Sequence, residues 1–499
     1  MRMTRRIRIA IVLLAGAMVG SGHAAELERS MAALGTEKMK TDTVVVLRGT
    51  SRFMGSDGRF TLAFDAEGRF VETIEGPISR TSGFDGDSAW EVDWNGIPRD
   101  LKLGERDELL LRLWAATGLW TRAPAGLRVD EFGDGFRLSV AEGGMVAEVA
   151  VDSKTALPTS FRYQLGATAS TTDLSDYDRT SGLSVPRRIE TRSEGGDELI
   201  LTAEQVAFTS QFDFRRPTSL QVAASFDAAA PASLEIKVAP TQHLMVRGVV
   251  NGQDVGWFIF DSGAGANVLS TTAAEAVGAD AVGSTSVLGV GGSVEGTLYR
   301  VESLTVGPLT LDDPLMIGVD LSPYEPHLGV KLGGIIGYGL LAQAVVTYEF
   351  DGPTIKLTHP ATHKLEGARW DDLLLYNRTS HVEAEFEGHR GVFLLDTGAA
   401  NKSVGIYAPA TERLGLLTSR ETTDSQVAGG GGALPARSGK LAQFDFAGKK
   451  YRNVDTVFAT EMEGVYADPY VSGTVGGQIL SDFTLVLDYA KSRIAFVPR

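Results

Sequence analysis

The sequence predicts a mainly β protein: two pseudo-two-fold-related β-barrel lobes in the C-terminal half, preceded by an antiparallel β-rich domain with little helix. Three observations carry that reading. Short apolar runs, many alternating with polar residues and broken by turn residues, recur along the chain. In the N-terminal domain one stretch, 105–114, has helical character. A unit of hairpin, Asp-Ser/Thr-Gly turn and glycine cluster occurs twice, at 244–292 and at 382–432.

At 499 residues the chain exceeds one ordinary hydrophobic core, so several domains are expected. Residues 1–24 read as an export signal: Arg2, Arg5, Arg6 and Arg8, an apolar run over 9–19, then small residues up to Ala24 and Ala25. The run is short of the roughly 20 apolar residues a membrane span needs, and no other stretch approaches that length, so no transmembrane anchor is expected. The pair Arg5-Arg6 admits a twin-arginine route, although a basic leader of this kind fits general secretion better. Either route implies a periplasmic or secreted protein.

The chain has no cysteine, which excludes a disulfide framework, a thiol nucleophile and thiolate zinc. Its formal charge is −16, and the leader carries four arginines and no acids, so the mature chain is four charges more negative. Such a surface repels phosphate backbones, so nucleic acid is excluded as a partner.

Residues 26–222 form the predicted N-terminal β-rich domain, with strands at 43–47, 60–64, 136–140, 146–151 and 199–206. Leu109, Leu110, Leu113 and Trp114 make either the core face of its helix or the lining of a ligand cavity. Gly83-Phe84-Asp85-Gly86 leading into Trp90, and Lys154-Thr155-Ala156-Leu157-Pro158, resemble segments of the periplasmic lipoprotein-carrier half-barrel. An Ala/Pro/Ser-rich stretch, 223–233, reads as a linker.

The two lobes are expected at 234–362 and 363–499. The first has a strand at 244–250, an Asn251-Gly252 turn and an apolar strand at 257–260 ending in Asp261-Ser262-Gly263-Ala264. The second has 382–386, a turn at Gly388 and 392–395, ending in Asp396-Thr397-Gly398-Ala399. Each then shows a short helix closed by glycine and a glycine cluster: Gly289, Val290, Gly291 and Gly292, against Gly429, Gly430, Gly431 and Gly432. An apolar pair before glycine follows, Ile335-Ile336-Gly337 and Thr474-Val475-Gly476, and a hairpin pattern closes each unit at 345–357 and 485–497. Gly337 lies 76 residues after Asp261 and Gly476 lies 80 after Asp396. One Asp-Ser/Thr-Gly is an ordinary turn tripeptide. Two in matched surroundings are a repeated structure.

Amide hydrolysis needs an activated water and a proton for the carbonyl oxygen or the leaving nitrogen. Two carboxylates held close cannot both ionise, so the pair offers a base and an acid together. Gly263 and Gly398 would let the two loops approach, and the Ser262 and Thr397 hydroxyls could bond across to brace them.

On these motifs, residues 234–499 resemble a fused pair of retropepsin-like lobes of the pepsin superfamily. The resemblance implies that Asp261 and Asp396 are catalytic. It places Ile336-Gly337 and Val475-Gly476 beneath the active-site loops, with the glycine clusters as flaps over a peptide or protein substrate. It implies no cofactor and no metal, and repeat adjacency suggests a monomer whose lobes pair within one chain. Ala264 and Ala399 stand where pepsins carry a hydroxyl that donates to the carboxylates. Losing that donor predicts activity towards weakly acidic or neutral pH.

The resulting expectation is an exported aspartic endopeptidase. Two rivals share the scaffold: a non-catalytic periplasmic protein that binds peptides or lipoproteins, and an envelope assembly factor acting on one docked partner. His359 and His363 have i, i+4 spacing, but Pro360 follows the first and no glutamate is placed to complete a zinc motif.

Overall fold

The computed structural model describes residues 23–140, 144–179, 182–218, 224–350 and 352–499. The expected leader lies outside them except for its last two residues, which open the helix His23–Leu34.

The N-terminal domain is one antiparallel sheet of thirteen strands. Six run in simple order from Val44–Phe53 outward to Pro98–Asp100, and seven return from Arg128–Phe132 to Glu198–Thr209. The two arms join where Val44–Phe53 pairs with Glu198–Thr209. The helix Leu103–Thr117 touches Ala89–Val92 on one arm and Val146–Val151, Pro158–Leu165 and Val185–Ser193 on the other. The sheet therefore curves around the helix. Leu109, Leu110, Leu113 and Trp114 are buried with Trp120, Phe136 and Phe161 in one core, so they pack against protein.

The two lobes repeat one strand order. In the first, Leu244–Val250 pairs with Gln253–Phe260, which runs parallel to Leu332–Ile336; then come Val268–Ser270, Leu315–Val319, Gly292–Arg300 and Asp280–Gly289. In the second the series is Thr379–Phe386, His389–Leu395, Gly473–Val475, Val404–Ile406, Lys449–Ala459, Gly432–Phe446 and Thr423–Gly429. The closing hairpins meet in a shared five-stranded sheet, where Val345–Glu349 pairs with Phe483–Asp488. One apolar core, including Phe258, Phe260, Ile336, Phe393, Leu395 and Val475, runs through both lobes. The fold is mainly β, and its sheets are largely antiparallel.

Part of the segment expected to be a linker is tied to the first lobe. Ala224–Phe226 pairs along the edge strand Leu309–Asp312. Leu234 N donates to Ile355 O and Leu357 N to Ala232 O, each at 2.9 Å. Its composition signals a connection but does not report a nearby sheet edge with free backbone groups.

The N-terminal sheet also touches the lobes. Ser284 N donates to Met54 O at 2.9 Å, and Ser286 N to the Asp197 carboxylate at 3.0 Å. Leu298, Leu315 and Ile317 of the first lobe are part of the N-terminal core. From the second lobe, the Tyr470 hydroxyl donates to Asp107 at 2.8 Å and accepts from Met145 N at 2.6 Å.

Candidate active site

Asp261 and Asp396 end the inner strands of the two lobes. Each backbone amide is held by the neighbouring parallel strand: Asp261 N donates to Ile336 O at 2.9 Å, and Asp396 N to Val475 O at 3.1 Å. Ile336 and Val475 thus set the height at which each acid leaves its strand. Both are wholly buried.

The glycines after them pack against the loop itself. A Cβ on Gly337 would lie 2.3 Å from Ala266 O and 2.5 Å from Ala264 O; one on Gly476 would lie 2.7 Å from Ala399 O. Side-chain-free backbone is required there by close approach, since neither glycine has positive φ. Thr474, the polar residue in the second apolar-apolar-glycine motif, bonds its hydroxyl to the Tyr407 hydroxyl at 3.2 Å.

The loops lock across the pseudo-two-fold axis. Thr397 Oγ1 donates to Phe260 O at 3.1 Å and accepts from Ser262 N at 3.0 Å. Reciprocally, Ser262 Oγ donates to Leu395 O at 2.7 Å and accepts from Thr397 N at 3.1 Å. Both side chains are buried. These four bonds leave no unsatisfied group at the crossing.

The carboxyls converge on one spot: a Cβ on Gly263 would lie 2.8 Å from Asp396 Oδ1 and 3.2 Å from Asp261 Oδ1. Asp261 Oδ1 accepts from Gly263 N at 2.7 Å and from Gly398 N of the other loop at 3.2 Å, while Asp396 Oδ1 accepts from Ala399 N at 2.9 Å. Burial raises both above the ordinary aspartate range. Asp396 goes well above it because the Asp261 charge adds to the burial, whereas the amides of Gly263 and Gly398 favour the Asp261 anion. The two carboxyls titrate as a pair, and these two amide donors support the anion on Asp261. Burial, then the charge of the dyad, also holds the Tyr348 phenol well above its ordinary value.

The two glycine clusters are the tips of hairpins that meet. Gly289 pairs with Gly292 and Gly429 with Gly432. Gly291 N donates to Gly430 O at 3.0 Å, and a Cβ on Gly289 would lie 2.2 Å from that carbonyl. Val290 reaches over to pack with Val427, Leu434 and Ala436 of the other hairpin and with Tyr466. Gly431 has a φ of 80°, a conformation glycine adopts freely.

The two aspartates, their Ser/Thr-Gly-Ala neighbours, Ile336-Gly337, Val475-Gly476 and the glycine clusters thus lie in the paired loops, directly beneath them, or in the two hairpin tips. His359 and His363 are bonded to the Ala361 amide and the Thr358 hydroxyl. Among the described residues no group of three or more His, Asp or Glu is placed to hold a metal. Sequence reasoning missed Ser380, whose hydroxyl donates to Ser262 O at 3.4 Å, and Tyr466, which lies close enough to Asp396 for that charge to raise its phenol further above the effect of burial. For Ser380 a signal existed: Asn377-Arg378 between two apolar runs is a hairpin turn, and a hairpin there mirrors the approach to the first lobe.

The aspartyl protease family model matches residues 246–340 and, separately, 382–479. One matched stretch falls in each lobe, so the chain carries two regions similar to the aspartyl protease family, consistent with a two-lobed member. No curated protein matches the chain. No helix among the described residues is long and apolar enough to cross a membrane.

Proposed function

We propose that the protein is an exported aspartic endopeptidase in which Asp261 and Asp396 activate one water. The observation that carries this reading is the convergence of the two carboxyls at the loop crossing, where Asp261 Oδ1 accepts from Gly398 N of the other loop and both carboxyls face the Gly263 backbone. Asp261, as the anion, takes a proton from a water lying between the acids. Asp396 gives its proton to the oxygen of the scissile carbonyl as the water attacks, forming a neutral gem-diol. Proton transfer to the nitrogen then releases the amine, and the dyad regains a single shared proton. No covalent intermediate is needed.

With the tips parted, an extended peptide can bond to flap backbone, and Val427 and Leu434, covered by Val290 in the closed arrangement, can receive its side chains. The reciprocal Ser262 and Thr397 bonds support pairing of the lobes within one chain. Export rests on the basic and apolar leader at 1–24.

The test uses the mature chain and its Asp261→Asn and Asp396→Asn variants on a peptide library, with and without a hydroxyl isostere of the gem-diol. Cleavage by the wild type alone, blocked by the isostere, is expected. Wild type that cuts nothing yet binds peptides as tightly as both variants would instead establish the binding-protein reading.

A further inference from the structure

Arg378 sits at a junction between the N-terminal domain and the loop that carries Asp261. With Asn377 it forms the two-residue turn between Leu374–Tyr376 and Thr379–Phe386, and φ is positive at both, 49° and 59°. Asparagine tolerates this conformation, whereas a longer L side chain is strained in it, and glycine is the residue the turn prefers. An arginine in that position calls for a compensating contact.

The contact lies in the other domain. Arg378 Nη2 and Nε donate to Glu91 Oε1 at 2.9 and 3.2 Å, and the guanidinium carbon lies 4.5 Å from the centroid of the Trp94 ring. Glu91 is 6% exposed, and the same oxygen accepts from Arg99 at 2.8 Å. Asp93, also buried, comes within 3.9 Å of Arg378 Nε. Charge-assisted bonds in so dry a place hold their geometry better than surface ion pairs do.

The same turn presses on the Asp261 loop. A Cβ on Gly265 would lie 2.8 Å from Asn377 O and 3.8 Å from the Arg378 Cβ. Two residues beyond Arg378, the Ser380 hydroxyl donates to Ser262 O. The path from Glu91 to Asp261 is therefore short: guanidinium, turn, then the backbone of Gly265 and Ser262.

We propose that Arg378 is a positioning residue through which the N-terminal domain sets the geometry of the dyad. Held by Glu91, it fixes the turn against the Asp261 loop, so the peptidase lobes depend on the N-terminal domain for an ordered active site. The effect on rate rests on the catalytic reading of Asp261 and Asp396. The effect on loop order does not.

The experiment uses the full mature chain. Arg378→Gly suits the turn's backbone and removes the guanidinium's contacts with Glu91, Asp93 and Trp94 in the N-terminal domain. It should lower kcat by about ten- to a hundredfold with a smaller change in KM, the scale expected for slight misplacement of a catalytic group. It should also shift the apparent pKa values of the rate profile and speed amide exchange over 261–266. Arg378→Lys, which keeps the charge, should recover part of each effect. Tyr470→Phe removes two other bonds between the N-terminal domain and the second lobe, those to Asp107 and Met145, and should leave all three readouts at wild-type values. The proposal is overturned if Arg378→Gly matches wild type in exchange and pH profile, or if Tyr470→Phe moves them equally. Should the wild type cleave no peptide, the catalytic reading fails, and exchange over 261–266 alone decides the positioning role.

Discussion

Thr397 donates its hydroxyl to the carbonyl of Phe260, the residue before the opposite lobe's aspartate, at 3.1 Å. Ser262 N points back at the same oxygen atom of Thr397. Thr397→Ala would leave that amide and that carbonyl buried without partners, at about 1–3 kcal/mol for each group. We expect a fall of about 2–6 kcal/mol in urea denaturation, together with loss of peptidase activity. Thr397→Ser keeps the hydroxyl and should stay within about 1 kcal/mol of wild type. An unchanged midpoint in Thr397→Ala would mean that the crossing bonds do not hold the lobes.

Gly398 faces the carboxyl of the other lobe at a distance that admits no side chain. An added Cβ would lie 2.6 Å from Asp261 Cγ and 2.7 Å from its Oδ1. Gly398→Ala must push Asp261 off the pseudo-two-fold axis, and a loss of about a hundredfold or more in kcat/KM is expected. Gly430→Ala is the informative contrast, because a Cβ there meets only the Gly289 backbone at 3.6 Å, an ordinary contact. Equal activity of the Gly398→Ala variant and wild type would contradict the pairing of the loops.

Most of this site was legible in the sequence because it is built from a repeat. Asp261, Asp396 and the two glycine clusters stand at comparable positions in two units, and duplication turns weak tripeptides into a pattern. The segment 224–226 was not legible, since nothing in Ala-Ser-Phe reports the open edge at Leu309–Asp312. The role of Arg378 was equally hidden. Its partner Glu91 lies 287 residues away in sequence, and a charged residue in a turn ordinarily reads as solvated surface. Local motifs carry the chemistry, while contacts between domains depend on surfaces that no short pattern encodes.

The pH behaviour of Asp396 has a sign that can be checked without substrate. Its pKa in the folded protein is raised well above the ordinary value, through burial and the neighbouring Asp261 charge. Above about pH 4 the unfolded chain loses this proton while the folded protein keeps it. The stabilising contribution of the group is thus complete below pH 4 and is lost as pH rises towards the folded pKa, at about 1.4 kcal/mol per pH unit. Asp396→Asn cannot ionise, so its stability relative to wild type should increase with pH over that window and then level off. Denaturation midpoints at a series of pH values measure this, and a difference independent of pH would show that Asp396 is not raised. In activity, the acid limb follows protonation of Asp261, also raised, and should lie above the ordinary aspartate value.

The two glycine-tipped hairpins differ in what lies behind them. Asp197 of the N-terminal sheet accepts from Ser286 N at 3.0 Å, and Met54 O accepts from Ser284 N, so the strand Asp280–Gly289 is anchored outside its own lobe. Strand Thr423–Gly429 of the second hairpin is largely exposed and pairs with its own partner strand, Gly432–Phe446. Opening for a substrate should therefore fall mainly to the second hairpin, with the first as a fixed wall. Amide exchange should be faster over 423–429 than over 280–289 in the wild type. Asp197→Ala removes one anchor at a cost of about 1 kcal/mol and should raise exchange over 280–289 while leaving 423–429 unchanged. Equal exchange of the two hairpins in the wild type would refute the asymmetry, because anchoring by the N-terminal sheet is the physical difference from which it is argued.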